Sequence, residues 1–332
     1  MSFSNYNNPL KSSKIKFARA HFRQTWTIKV LRFLLATALI SSGCSVRQAA
    51  VNMIGDALAG GGGVYASDDD PELIRDALPF GLKTFESLLE AAPEHQGLLL
   101  AASRGFAAYA FLLQNDSDRL ESTDPSRSRE LRSRARNLYL RGHAYARRAL
   151  ELRHPGFGDA LRRDGHTVLI ATTPEDAPFL YWAGACLGGA ISVAKNDLDL
   201  ISDLPLSGAL VRRVLEIDEE YDSGAAHEFF IAFEASRPGG SIQGARAHYQ
   251  RALEISGGQR ASVHLSLAEN VTVREQNVAE FRSLLATVVS LRPETNHQFR
   301  LINTIARRRA EWLQSRIDDL FLDSASDKEK MQ

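Results

Sequence analysis

The stretch at 221–258, YDSGAAHEFFIAFEASRPGGSIQGARAHYQRALEISGG, constrains this chain more than any other. Ala226, Phe229, Phe230 and Phe233 fall at i, i+3, i+4 and i+7, the apolar stripe of one helix, and Arg237-Pro238-Gly239-Gly240 ends it. Ile242, Ala245, Tyr249, Ala252 and Leu253 repeat the stripe, with Gln243, Arg246, Gln250, Arg251 and Glu254 on the other face and Ser256-Gly257-Gly258 as the stop. A helical hairpin of this size cannot bury both stripes alone. It requires neighbours of its own kind, which is the logic of a helical repeat.

The rest of the chain supplies them. Periodicity and breakers predict helices over 72–92, 97–114, 127–153, 179–194, 205–219, 224–236, 241–256, 260–276, 278–292 and 296–322, with 157–173 irregular. Thr173-Pro174-Glu175-Asp176 offers a capping box ahead of 179–194, and Asp176 itself is the alternative cap. No segment alternates with period two, so the fold class is all-α. Leu89-Glu90, Leu150-Glu151-Leu152, Leu215-Glu216-Ile217, Leu253-Glu254-Ile255 and a degenerate Val289-Ser290-Leu291 recur at helix ends. Their separations are 61, 65, 38 and 36 residues, one or two tetratricopeptide (TPR) units of about 34. The expectation is a TPR-like α-solenoid of about four helix pairs with extra flanking helices. The segment 179–194 carries no charge and is dense in Gly and Ala, which predicts a helix buried on all sides with Cys186 as a small buried hydrophobe.

The 40 basic and 40 acidic residues are unevenly placed. Seven Lys or Arg and no acid occupy 1–43, leaving 33 basic against 40 acidic side chains beyond, a balance that disfavours nucleic-acid binding. The basic segment to Arg32 is followed by an apolar run, 33–40, too short to span a membrane, and then by Ser41-Ser42-Gly43-Cys44. This order resembles a bacterial lipobox, with Ser41 where the pattern prefers Leu and Ile40 one step earlier. It predicts a lipoprotein signal peptide at 1–43 and lipidation of Cys44. Ser45 in place of Asp is similar to lipoproteins sorted to the outer membrane, facing the periplasm. The run Gly60-Gly61-Gly62-Gly63 and Asp68-Asp69-Asp70 predict a flexible tether over 44–70, followed by a helical domain at 71–322 and a disordered tail at 323–332.

Several motifs together resemble the TatT family, the TPR-like lipoprotein components associated with TRAP transporters, the tripartite ATP-independent periplasmic systems. They are Asp176-Ala177-Pro178-Phe179-Leu180-Tyr181-Trp182, Leu215-Glu216-Ile217-Asp218 with Tyr221, Gly224-Ala225-Ala226-His227, Ser236-Arg237-Pro238-Gly239, Ala252-Leu253-Glu254-Ile255-Ser256-Gly257-Gly258 and Arg300-Leu301-Ile302-Asn303. The resemblance spans about 44–322 and departs at Leu187, where relatives often carry a second aromatic. It implies a lipid-anchored accessory component that pairs with a TRAP-type periplasmic solute-binding protein, takes a small organic or hydrophobic solute, and forms a homo-oligomer such as a trimer.

Beside that resemblance the residues give little chemistry. His227-Glu228 lacks the second histidine of a zinc-protease helix, two cysteines are too few for a zinc site, and no nucleophile motif joins the Ser, His and acidic residues. The expectation is no enzyme, no catalytic residue, no metal and no cofactor. If the helices enclose a cleft, Tyr181, Trp182, Tyr221, His227 and Asn303 are the candidate ligand-binding residues, because they combine apolar area with a few directed polar groups. The simpler reading of His227 is a hydrogen-bonded histidine at a helix seam. Glu269 reads as solvated or capped, and Arg307-Arg308-Arg309 as the wet face of the last helix. The alternative functions are a TPR-type envelope-assembly scaffold and, third, a hydrolase.

Overall fold

Asp70 starts the first long helix. Its carboxylate accepts from the backbone N–H of Glu72 (3.0 Å) and Leu73 (3.1 Å), and Pro71 takes the first helical position, so α1 runs Pro71–Ala91. The computed structural model describes residues 52–58, 62–292, 294 and 296–322. Cys44, the segments before it and the predicted tail at 323–332 lie outside them. The chain divides into two compact units, Met1–Ile54 and Gly55–Gln332. Of the first, residues 52–54 are described and helical, and the fold is that of the second.

Every regular element among the described residues is helical, as the periodicity requires. After α1 come α2 (Gln96–Leu120), α3 (Pro125–Arg153), α4 (Phe157–Ile170), α5 (Ala177–Val193), α6 (Leu204–Ile217), α7 (Tyr221–Ser236), α8 (Ile242–Ser256), α9 (Ala261–Leu267), α10 (Val278–Ser290) and α11 (Arg300–Gln314). Short turns of helix at Gly62–Ala66, Leu198–Ser202 and Ile317–Leu320 join or flank them. The first of these lies in the stretch read as a tether. Asp124 and Ser241 cap α3 and α8 through the N–H groups of Arg127 (2.9 Å) and Gly244 (3.0 Å). Asp176 reaches back to the Thr173 N–H at 2.9 Å, as a capping box requires. At the other end of α8, Gly257 is left-handed (φ 61°) and the Gly258 N–H returns to the Leu253 carbonyl at 2.9 Å.

Several sequence expectations are corrected. Asn115-Asp116 does not stop α2, because the polar residues of its last turns have tertiary partners: Asp116 pairs with Arg75 (2.8 Å), and the Ser117 carbonyl accepts from Ser128 (2.8 Å). The stretch at 157–173 is largely helical. It lacks a continuous stripe because Asp164 leaves the helix (φ −153°) and its carboxylate recaps the second half through the Thr167 N–H at 3.2 Å. The helix expected over 260–276 is α9 running into a π turn at Ala268–Thr272, and the one expected over 296–322 breaks after Gln314. Glu269 and Arg309 are not solvated faces. Arg309 contacts Glu269 at 2.7 Å and Asp118 at 3.0 Å, tying the π turn, α11 and the end of α2 together, and burial raises the Glu269 carboxyl while Arg309 lowers it.

Two hydrophobic cores meet at α7. Phe230 belongs to the core that holds Leu98, Leu150, Leu180 and Leu210 of α2, α3, α5 and α6, whereas the adjacent Ile231 belongs to the core that holds Leu267, Phe281, Leu285 and Ala310 of α9, α10 and α11. Helix α7 is therefore buried on two sides. Helix α5 is buried on most of its surface but not on all sides as expected: Ala183, Gly184, Cys186, Leu187 and Ala190 are inaccessible or nearly so, whereas Tyr181, Trp182, Ala185 and Gly189 are half-buried on one face and Ser192 is exposed. A Cβ on Gly184 would sit 2.5 Å from Val211 Cγ2 and 2.9 Å from the Ser207 carbonyl of α6, which only glycine allows.

Candidate functional site

The apolar half of α2 carries one charge. Residues 96–113, QGLLLAASRGFAAYAFLL, contain only Arg104, which is exposed. On the side of α2 that bears Ala101, Arg104, Gly105, Ala108 and Leu112 lies a cavity of about 520 Å³, within the range of small-molecule sites. Its apolar wall comes from Ile74, Leu78 and Leu82 of α1, from α2, and from Leu301, Ile302 and Ile305 of α11. Leu58, Tyr65 and Ala66 complete that wall, so the predicted tether contributes to it. Residues 101–112 alone cover about 16 Å along the α2 axis at 1.5 Å per residue.

Charge gathers at the end built by α5, α7 and the start of α9. Tyr181 and Trp182 line the cavity there with Asp222, Glu228, Arg260 and Ser262. Arg260 Nε lies 2.7 Å from Glu228 Oε2, an ion pair without the alignment of a hydrogen bond, and its Nη1 donates to the Asp222 carbonyl (2.6 Å) and faces the Asp222 carboxylate (3.4 Å). The Ser262 hydroxyl is buried and has no hydrogen-bond partner among the described residues. Arg104 sits 5.9 Å from the Trp182 ring centroid, and Tyr181 contacts the rings of Trp182 (5.2 Å) and Tyr221 (5.4 Å). Burial pushes the Tyr181 hydroxyl well above its ordinary pKa, and pushes Tyr221 up to about 12 against the opposing pull of Arg104.

The backbone that presents Asp222 is unusual. Asp222, Ser223 and Gly224 are consecutively left-handed, with φ of 45°, 56° and 83°, a conformation that costs of order 1 kcal/mol or more per non-glycine residue. Arg260 on the Asp222 carbonyl and Gln298 Nε2 on Ser223 Oγ (3.1 Å) hold it.

Of the five residues proposed from sequence, Tyr181 and Trp182 line the cavity and Tyr221 stands beside Tyr181. Asn303 is behind the wall: its Oδ1 accepts from the Ala261 N–H and its Nδ2 donates to the Gln259 carbonyl, both at 2.9 Å, which fixes the start of α9 that carries Arg260 and Ser262. His227 is away from the cavity lining, at the α7–α8 seam, between His248 (2.8 Å) and Glu219 (3.0 Å). Sequence reasoning missed Arg104, Asp222, Glu228, Arg260 and Ser262. For Arg104 a signal existed, a lone charge in eighteen otherwise uncharged residues. No group of three or more His, Cys, Asp or Glu that could hold a metal ion occurs among the described residues.

The family model of the TRAP transporter T-component matches residues 67–321 of this chain. An uncharacterized protein of Treponema pallidum (strain Nichols) is 28% identical over 321 residues, covering 90% of this chain and 99% of the relative. The match takes in all of α1 to α11, and with them every wall of the cavity except Leu58, Tyr65 and Ala66. The chain therefore belongs to the TRAP transporter T-component family, a family of transport accessories rather than of enzymes.

Proposed function

We propose that this protein is a lipid-anchored periplasmic accessory of a TRAP-type uptake system, whose cavity takes a small, largely apolar organic solute and whose helical surface binds the periplasmic solute-binding subunit. The observation that carries the reading is the cavity of about 520 Å³, apolar along α1, α2 and α11 and polar at one end, in a chain of the T-component family. A concave apolar site with a few directed polar groups suits reversible capture of a solute.

The anchor is Cys44 in this reading, with 1–43 removed as a signal peptide, 44–70 as the link to the membrane and 71–322 as the working domain. The protein is placed on the periplasmic side of the outer membrane. The recurring helix ends at Leu150, Leu215 and Leu253 support reading α2–α3, α5–α6, α7–α8 and α9–α10 as irregular TPR-like pairs, and assembly into a homo-oligomer such as a trimer fits the family resemblance. Expression of the full-length protein in its host with a labelled fatty acid, followed by capture, tests both halves. The expected result is acyl label that Cys44→Ala abolishes, with the solute-binding subunit co-captured and rebinding when purified. Unchanged label in Cys44→Ala refutes the anchor, and no association at high micromolar concentration refutes the pairing.

A further inference from the structure

The charge at the polar end of the cavity is divided in two. Arg260 is shared between Glu228 at 2.7 Å and Asp222 at 3.4 Å, so these three side chains leave one negative charge over. Arg104, also lining the cavity, makes no hydrogen bond or ion pair with the described residues and leaves one positive charge over. The two excess charges flank the same aromatic group. Tyr221 feels Arg104, which favours ionisation of its hydroxyl, and Asp222, which opposes it. The buried Ser262 hydroxyl stands at the same end without a partner.

We infer that the cavity receives an amphipathic zwitterion, an apolar body ending in a head with one ammonium and one anionic group, the anion on Arg104 and the ammonium on the carboxylates of Asp222 and Glu228. The inference rests on the reading of the cavity as a ligand site and specifies its ligand. A singly charged head satisfies one excess charge and meets the other with the same sign, while an uncharged head covers both without compensating either. The Asp222 carboxylate retains acceptor capacity, because it faces Arg260 through one oxygen at 3.4 Å and can still take an ammonium N–H. Ser262 supplies a further donor or acceptor to the head. The body lies along Ala108, Leu112 and Ile305, where the lining is apolar.

The test uses probes with one alkyl chain and different heads: 2-aminooctanoic acid, octanoate and octylamine, titrated calorimetrically into the full-length protein in lipid nanodiscs with empty nanodiscs as blank. The zwitterion is expected to bind at least tenfold tighter than either singly charged probe. Arg104→Gln should remove its advantage over octylamine, and Asp222→Asn its advantage over octanoate; Asn takes the left-handed conformation as readily as Asp, so the second variant keeps the turn. An octanoyl lysophosphatidylethanolamine distinguishes a lipid head from an amino-acid head, and a tenfold preference for either zwitterion supports the proposal. Equal binding of all probes, or octanoate as the tightest, overturns it while leaving the cavity as a ligand site. Absence of binding by every probe overturns both.

Discussion

His227 and His248 share a hydrogen bond between like atoms, Nδ1 to Nδ1 at 2.8 Å, and this fixes their protons. Glu219 accepts at His227 Nε2 and is itself gripped by Arg251 through two contacts of 2.8 Å, which with His227 hold its carboxyl down to about 2. Neutral His227 therefore carries its proton on Nε2 and accepts at Nδ1, and His248 donates from Nδ1. Burial first, then the neighbouring His227, lowers His248 to about 4, with Arg212 acting the same way and Glu234 opposing. Its folded value lies below its ordinary value, so its contribution is complete above pH 6.5 and is lost as pH falls towards 4. After discounting for partial exposure, about 1 kcal/mol of stability should disappear between pH 7.5 and 4.5 that His248→Gln does not lose. Urea unfolding of both proteins at the two pH values checks it; parallel losses would refute it. The sequence made His227 visible as a seam histidine but could not reveal His248 as its partner, 21 residues away on the facing helix.

At the scale of elements, α5 and α6 approach each other at Gly184 so closely that no Cβ fits between them. Ser207 Oγ donates to the Gly184 carbonyl at 2.8 Å, and the space above Gly184 is filled by Val211. Gly184→Ala gains about 1 kcal/mol of helix propensity and loses about 1–3 kcal/mol to overpacking against a carbonyl that cannot move. The expected outcome is a lower urea midpoint with unchanged slope, and an equal or higher midpoint would sink the argument. Small residues without charge announced this helix in the sequence, and stripes announced α7 and α8, because burial there is settled by each segment's own pattern. Where tertiary partners decide, the pattern was silent: the end of α2 continues on the strength of Arg75 and Ser128, and α4 survives a break by recapping at Asp164. The site divides the same way. Tyr181 and Trp182 stood out as large amphipathic side chains, whereas Arg260 and Glu228 acquire meaning only through a contact spanning 32 positions.

For the whole molecule, the sharing of α7 by both cores has a thermodynamic consequence. Phe230 and Ile231 are neighbours in sequence and each is fully buried, one in each core, so neither core can lose α7 without exposing the other. In a variant that keeps only Trp182, beside the first core, and in one that keeps only Trp312, beside the second, the fluorescence transition should therefore superimpose on that same variant's far-UV circular dichroism transition. Curves separated by more than their error would mean that the halves unfold independently.

The wall formed by Leu58, Tyr65 and Ala66 bears on how the protein is prepared. A version trimmed to begin at Pro71 would discard one side of the cavity and the carbonyl of Ser67 that Arg300 reaches. Such a shortened protein would keep the two cores that meet at α7 and still present a wider, wetter chamber than the longer chain. Affinities measured on it would describe a different chamber from the one the longer chain encloses.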